Sequence, residues 1–164
     1  MLKILAGPAD LGALRGPALA VLVEQSVVPD PARLHAAVAS AIQRVIDGRD
    51  FRAARDETLH LLGAAGGVER VLLVGMGKVT DRRASLKRAA ALAGRRAHQS
   101  GFGRVAIHAG ALSADDAESI TAGVAAGAWD LKEFQTPPPA GERRPPLAEA
   151  VIVGAGGGAE PGNR

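Results

Sequence analysis

At 164 residues, with a formal net charge of +3, the chain is long enough for one domain with a full hydrophobic core and too short for two ordinary ones. Aromatic residues make up 2% of it and cysteine is absent, which excludes disulfides, thiolate metal sites and cysteine nucleophiles and leaves few platforms for stacking bases or sugars. The core must therefore be built from Ala, Val, Leu and Ile, and so small a cationic surplus attracts polyanions only where the charges cluster.

Taken in order, the N-terminal apolar stretch is broken by Pro8, Asp10, Arg15 and Pro17 before it reaches the length of a signal-peptide core or a membrane-crossing helix. A soluble, cytoplasmic protein with no membrane partner is expected. Leu2-Lys3-Ile4-Leu5 reads as a first strand closed by Gly7-Pro8, and Ala18 to Val23 as a second, bounded by Gly16-Pro17 and Glu24-Gln25-Ser26. Pro29-Asp30-Pro31 signals a helix start, because Asp30 can cap free amides and Pro31 fits the first helical position. Leu34, Val38, Ile42 and Val45 recur at helical spacing up to Gly48, predicting an amphipathic helix laid on a sheet. A charged connector from Asp50 leads to Thr58–Leu62, a strand or a short helix, which Gly63 to Gly67 would join as a hairpin to the apolar strand Arg70-Val71-Leu72-Leu73-Val74. Gly75-Met76-Gly77-Lys78 predicts a tight turn ending that strand.

Asp81 to Ser100 predicts a long helix with Leu86, Ala89, Ala90, Ala93 and Ala97 inward and Lys87, Arg88 and Arg95 outward, stopped by Gly101-Phe102-Gly103. Arg104–His108 is the next strand. Ser113 and Asp116 have the spacing of a capping box, opening a third helix with Ala117, Ile120, Val124 and Leu131 as its inward stripe. The proline-rich run from Thr136 to Pro146 predicts an extended loop, Val151-Ile152-Val153 a last strand, and 154–164 a flexible tail or the start of a linker. Strands alternating with helices give an α/β layered domain over residues 1–153 with a mixed, mostly parallel sheet flanked by helices.

Two stretches carry candidate chemistry. Gly75, Gly77 and Lys78 lie between a strand and a helix, a place where free amides attract anions. The third glycine of the dinucleotide fingerprint and the GxxxxGK[ST] loop are missing, and strand-to-helix geometry alone accounts for such glycines. Arg82, Arg83, Lys87, Arg88, Arg95 and Arg96 form the one charge cluster. They are candidate phosphate contacts for DNA, or simply a solvated helix face, since no aromatic residues interleave with them. The four histidines have no metal-ligand spacing, the carboxylate pairs Asp115-Asp116 and Asp56-Glu57 fit helix-start and connector roles, and no serine sits in a GxSxG elbow.

Asp50-Phe51, the connector Asp56-Glu57-Thr58-Leu59 and Arg70-Val71-Leu72-Leu73-Val74-Gly75-Met76-Gly77-Lys78 resemble, in this order, the "GDF…GE" and "RVLLVGLGK" segments in the N-terminal domain of the leucyl (cytosol) aminopeptidase family. The run from Gly123 to Thr136 is similar to that family's "EGALLGAYRFDRYKT" segment, with Trp129 in place of a tyrosine. Ala53-Ala54 stands near a turn where the family commonly has glycine. The resemblance implies a three-layer macro-domain-like fold and a non-catalytic role in domain packing and oligomer assembly, with a catalytic domain of the same family or further copies of itself as partners. It also implies that the parent enzyme removes N-terminal amino acids from peptides with two divalent metals such as zinc or manganese. Those metals are held in segments resembling "VGKGxTFDSGG" and "NTDAEGR", and neither segment occurs in this sequence. No catalytic or metal-binding residue, and no cofactor, is therefore expected in this chain. Two alternatives remain open: DNA binding through the basic helix, as some bacterial members show, and binding of an ADP-ribose-type ligand near Gly75, Gly77 and Lys78, by analogy with macro domains.

Overall fold

The computed structural model describes residues 2–7, 16–27, 34, 36–62, 68–129, 141 and 146–153. The elements run β1 (Lys3–Gly7), β2 (Gly16–Glu24), α1 (Ala36–Asp47), β3 (Thr58–Leu62), β4 (Val68–Gly77), α2 (Arg82–Gln99), β5 (Arg104–His108), α3 (Ala114–Ala128) and β6 (Glu149–Val153). The strands form a six-stranded sheet in the order β1-β6-β5-β2-β4-β3. Every neighbouring pair is parallel except β3 with β4, which run antiparallel from Thr58 against Val74 to Leu62 against Arg70. The hairpin expected across Gly63 to Gly67 is thus present as a strand pair, and a strand, not a short helix, occupies Thr58–Leu62.

Side-chain alternation splits the core into two layers. Ala18, Ala20 and Leu22 of β2, with Leu72, Val74 and Met76 of β4, face α2 and α3. Leu19, Val21 and Val23, with Val71 and Leu73, face α1, where Val38, Ile42 and the fully buried Phe51 meet them. These central strands are covered on both faces, which is why they read as continuous apolar runs without alternation.

α2 forms as expected. Its alanine-rich inward face, Leu86, Ala89, Ala90, Ala93 and Ala97, is buried, Asp81 caps it by accepting from the Ala84 amide, and alanine is the strongest helix former. α3 begins with the expected capping box: the Ser113 hydroxyl accepts from the Asp116 amide at 3.1 Å and the Asp116 carboxylate accepts from the Ser113 amide at 3.1 Å. Its inward stripe differs from the expected one. Ile120 and Val124 are buried, but Ala117 is only partly so, and Gly123 and Gly127 complete the face. The reason is the neighbour: α3 leans on α2 as well as on the sheet, and the contact is so close that only hydrogen fits. A Cβ on Gly127 would lie 1.9 Å from the Ala91 carbonyl oxygen, and one on Gly123 2.2 Å from that of Lys87.

The largest departure from the expected pattern concerns Gly75, Met76, Gly77 and Lys78. The strand does not stop at Val74; β4 continues to Gly77, with Gly75 in register with Val23 and Gly77 with Glu24 across a bulge. The connector between α1 and β3 passes directly over this end. Gly75 donates its amide to the Glu57 carbonyl at 2.7 Å, Asp56 donates back to the Gly75 carbonyl at 3.2 Å, and Gly77 donates to the Ala53 carbonyl at 2.9 Å. Partners on both sides keep the segment paired, with Gly77 at a left-handed φ of 68°, and the chain turns only at Lys78 to Asp81. The Pro29-Asp30-Pro31 helix start, Leu131, most of the proline-rich run from Thr136 to Pro146 and the tail 154–164 lie outside the described residues.

Candidate functional site

The connector borders a cleft. Ala53 and Asp56 take left-handed backbone conformations at φ 58° and 66°, a region that non-glycine residues enter only where surrounding structure holds them. Here the bonds to Gly75 and Gly77 do so, together with the Glu57 carboxylate, which accepts from the Arg52 and Ala54 amides at 2.9 and 3.1 Å. The connector then stands as a wall opposite the first turns of α2. Between them lies a cleft of about 300 Å³ lined by Arg55, Asp56, Lys78, Thr80, Ser85 and Arg88, among others.

Across its mouth Arg88 binds Asp56 through two parallel bonds of 2.8 and 2.5 Å. The hydrogen bond from Arg88, against a smaller opposing effect of burial, and the charges of Arg88 and Arg55 hold the Asp56 carboxyl below its ordinary range. The same contact raises Arg88 further above its already high value. Both side chains are largely open to solvent, at 58% and 44% exposure, so this pair serves as a geometric tie between connector and helix more than as a source of stability.

Of the residues anticipated as an anion-binding turn, Gly75 and Gly77 are accounted for by their backbone bonds: both amides donate to carbonyl oxygens, and a Cβ on Gly75 would lie 2.0 Å from the Ala54 carbonyl oxygen. Their role is close backbone approach. Lys78 stands exposed at the cleft, so an anion entering there would meet the side chains of Arg55, Lys78 and Arg88 before any free amide.

The six basic candidates on α2 differ in their partners. Arg82 bonds to Asp116 at the start of α3, 3.2 Å away, and Arg88 is held by Asp56. Arg83, Lys87, Arg95 and Arg96 are exposed, with Arg96 on the side of α2 near β3, where it acts on His60. Burial raises the Asp116 carboxyl pKa, but the Ser113 amide, the Arg82 guanidinium and the Ser113 hydroxyl outweigh it and leave the group below its ordinary range. Asp116→Asn keeps the shape and removes the charge, so at neutral pH it should cost about 1 kcal/mol in urea unfolding. Because the folded-state pKa is depressed, the contribution is complete above about pH 4 and is lost as pH falls through the folded value. Wild type and variant should therefore converge in acid.

A second cleft, of about 480 Å³, opens at the carboxyl end of β2 and is lined by Gln25, Ser26, Arg49, Phe51 and Arg52, among others. Ser26 and Arg49 also take left-handed conformations, at φ 66° and 61°. Among the described residues no group of three or more His, Asp or Glu side chains is placed to hold a metal ion, and no helix is long and apolar enough to cross a membrane. His98 accepts from the Leu147 amide at 3.3 Å, and His108 is buried at the end of β5. Sequence reasoning missed Arg55 and Asp56 as site residues, because the partner of Asp56, Arg88, lies on another element.

Among curated proteins none matches this sequence. Among solved structures, the chain is similar to a tomato leucine aminopeptidase mutant at 20% identity and a TM-score of 0.73, covering 98% of this chain and 34% of that one. It is also similar to the bottromycin maturation enzyme BotP, at 18% identity and a TM-score of 0.59 over 84% of this chain and 27% of that one. The macrodomain of Mycobacterium tuberculosis DarG matches at 12% identity and a TM-score of 0.55 over 93% of this chain and 99% of that one. At these identities the likenesses show the fold, a macrodomain-like α/β layering, and this chain spans about a third of the tomato enzyme's length. The family model for the N-terminal domain of cytosol aminopeptidases matches residues 18–138. The chain thus belongs to the cytosol aminopeptidase family, as an N-terminal domain of it.

Proposed function

We propose that this domain works by packing against a catalytic domain of its own family and by helping to assemble the resulting enzyme, which would release N-terminal amino acids from peptides using two divalent metals. The observation that carries this reading is the coverage: nearly all of this chain, 98%, corresponds to 34% of a longer leucine aminopeptidase. The surface offers a handle of the right kind. Trp129, the only tryptophan, stands 69% exposed at the end of α3, and exposed aromatic residues commonly anchor interfaces.

The test mixes the purified chain with a separately produced catalytic domain of a family member and follows co-sedimentation. Complex formation at micromolar concentrations is expected, with Trp129→Ser weakening it about tenfold or more. Sedimentation of the chain alone separates self-association from partner binding. Independent sedimentation of the two components at about 0.1 mM would overturn the proposal.

A further inference from the structure

The cleft between the connector and α2 gathers more positive charge than its own acids use. Arg55 of the connector, Lys78 beyond the end of β4 and Arg88 of α2 reach it from three separate parts of the chain, with the Thr80 and Ser85 hydroxyls beside them. Two acids line it, and both are engaged. Asp56 holds Arg88 through two bonds, and Asp81 accepts from the Ala84 amide at 3.2 Å as the cap of α2. The acids nearby are engaged too: Glu57 accepts from the Arg52 and Ala54 amides, and Asp116 holds Arg82. Among the described residues Arg55 and Lys78 form no ion pair.

Local charge order points the same way. The first turn of α2 carries Arg82 and Arg83 and no acid, although the start of a helix favours negative charge. The hydrogen bond from Arg88, with the charges of Arg88 and Arg55, outweighs burial at the Asp56 carboxyl and holds it below its ordinary range. The field at the cleft mouth is therefore positive even beside an acid. Size and walls narrow the ligand. A volume of about 300 Å³ is the lower end of ligand pockets, with room for one charged head and a few carbons and too little for an ADP-ribose-type molecule. Met76 and Ala89 give it an apolar side. A carboxylate is the wrong head, since the Arg88 fork already grips one in Asp56. A phosphate monoester brings roughly two negative charges and three acceptor oxygens, enough to engage cations arriving from three directions.

We propose that this cleft binds a small phosphate monoester, its dianionic head held by Arg55, Lys78 and Arg88 and its organic stem lying on Met76 and Ala89. Asp56 is the resident occupant of Arg88, and an arriving phosphate draws Arg88 from it, so ligand binding competes with the tie between connector and α2. The site stands apart from the packing role proposed above. A DNA duplex carries singly charged phosphodiesters and is too broad to enter.

The test titrates the full 164-residue chain with glycerol 3-phosphate at low salt and follows it by NMR. Saturable shifts at Lys78, Thr80 and Ser85 with a Kd of about 1 mM or tighter are expected, together with movement of the Arg88 Nε–H resonance as it leaves Asp56. Glycerol and acetate at the same concentration should move none of these. Arg55→Ala combined with Lys78→Ala, at exposed positions and with the fold checked in the same spectra, should weaken binding about tenfold or more. Asp56→Asn, which suits a left-handed backbone, removes the competing charge and should tighten binding about threefold. Arg83→Ala and Arg95→Ala, exposed and outside the cleft, should leave it unchanged. The proposal is overturned by absence of saturation at about 20 mM ligand, by acetate binding as well as the phosphate ester, by an equal loss in Arg95→Ala, which would reduce the contact to general charge, or by a DNA duplex moving the same resonances at lower concentration.

Discussion

Gly127→Ala is expected to lower the stability of the domain by about 3 kcal/mol, although on helix propensity alone it should raise it by about 1 kcal/mol. The sign is decided by the seam between α2 and α3. A methyl group at Gly127 would sit 1.9 Å from the Ala91 carbonyl oxygen and 2.6 Å from its carbon, and these are backbone atoms of a helix that cannot rotate out of the way. The helices must part, and parting them opens the layer in which Leu86, Ile120 and Val124 are fully buried. Gly123→Ala should behave similarly, its methyl falling 2.2 Å from the Lys87 carbonyl oxygen. For a domain of this size the loss corresponds to a melting temperature lower by about 6–12 °C. Gly103→Ala is the control, since nothing lies within 4 Å of its Cβ position; a similar loss there would mean that the close approach is not the cause.

Gly75→Ala should be comparably damaging, again by about 3 kcal/mol, with a local signature of its own. The added methyl would lie 2.0 Å from the Ala54 carbonyl oxygen and 2.7 Å from the Ala53 carbonyl carbon. β4 cannot retreat, because it is paired with β2 on one side and β3 on the other, so the connector must lift. Lifting it breaks the bonds from Gly75 to Glu57 and from Gly77 to Ala53 and draws Asp56 away from Arg88. Denaturant unfolding measures the first effect. Loss of the downfield-shifted Arg88 Nε–H resonance, expected from its bond to Asp56, measures the second. A variant that keeps that resonance and full stability would show that the connector is not clamped as described.

The fold was legible where one element's own pattern sufficed. The buried runs of β2 and β4, the alanine face of α2 and the capping box at Ser113 and Asp116 are local signals, and each appears in the structure where the sequence places it. What was hidden depended on a second element. Gly75 and Gly77 look like a turn until the connector arrives to pair with them, and the glycines of α3 look like weak helix positions until α2 lies against them. The basic helix gave a correct inventory of charges but no map of their partners. Asp56 is 32 residues from Arg88 and Asp116 is 34 from Arg82, and neither ion pair leaves a trace in spacing.

The sheet order has a consequence in time. β1 pairs with β6 alone among the described strands, Lys3 in register with Glu149. On a ribosome the chain can assemble β2, β4 and α2 early, since their contacts close within the first hundred residues. β1, though, meets its described strand partner only when nearly the whole domain has emerged. Its capture is then a late step in the folding of this domain, and until that step β1 stays open to other encounters.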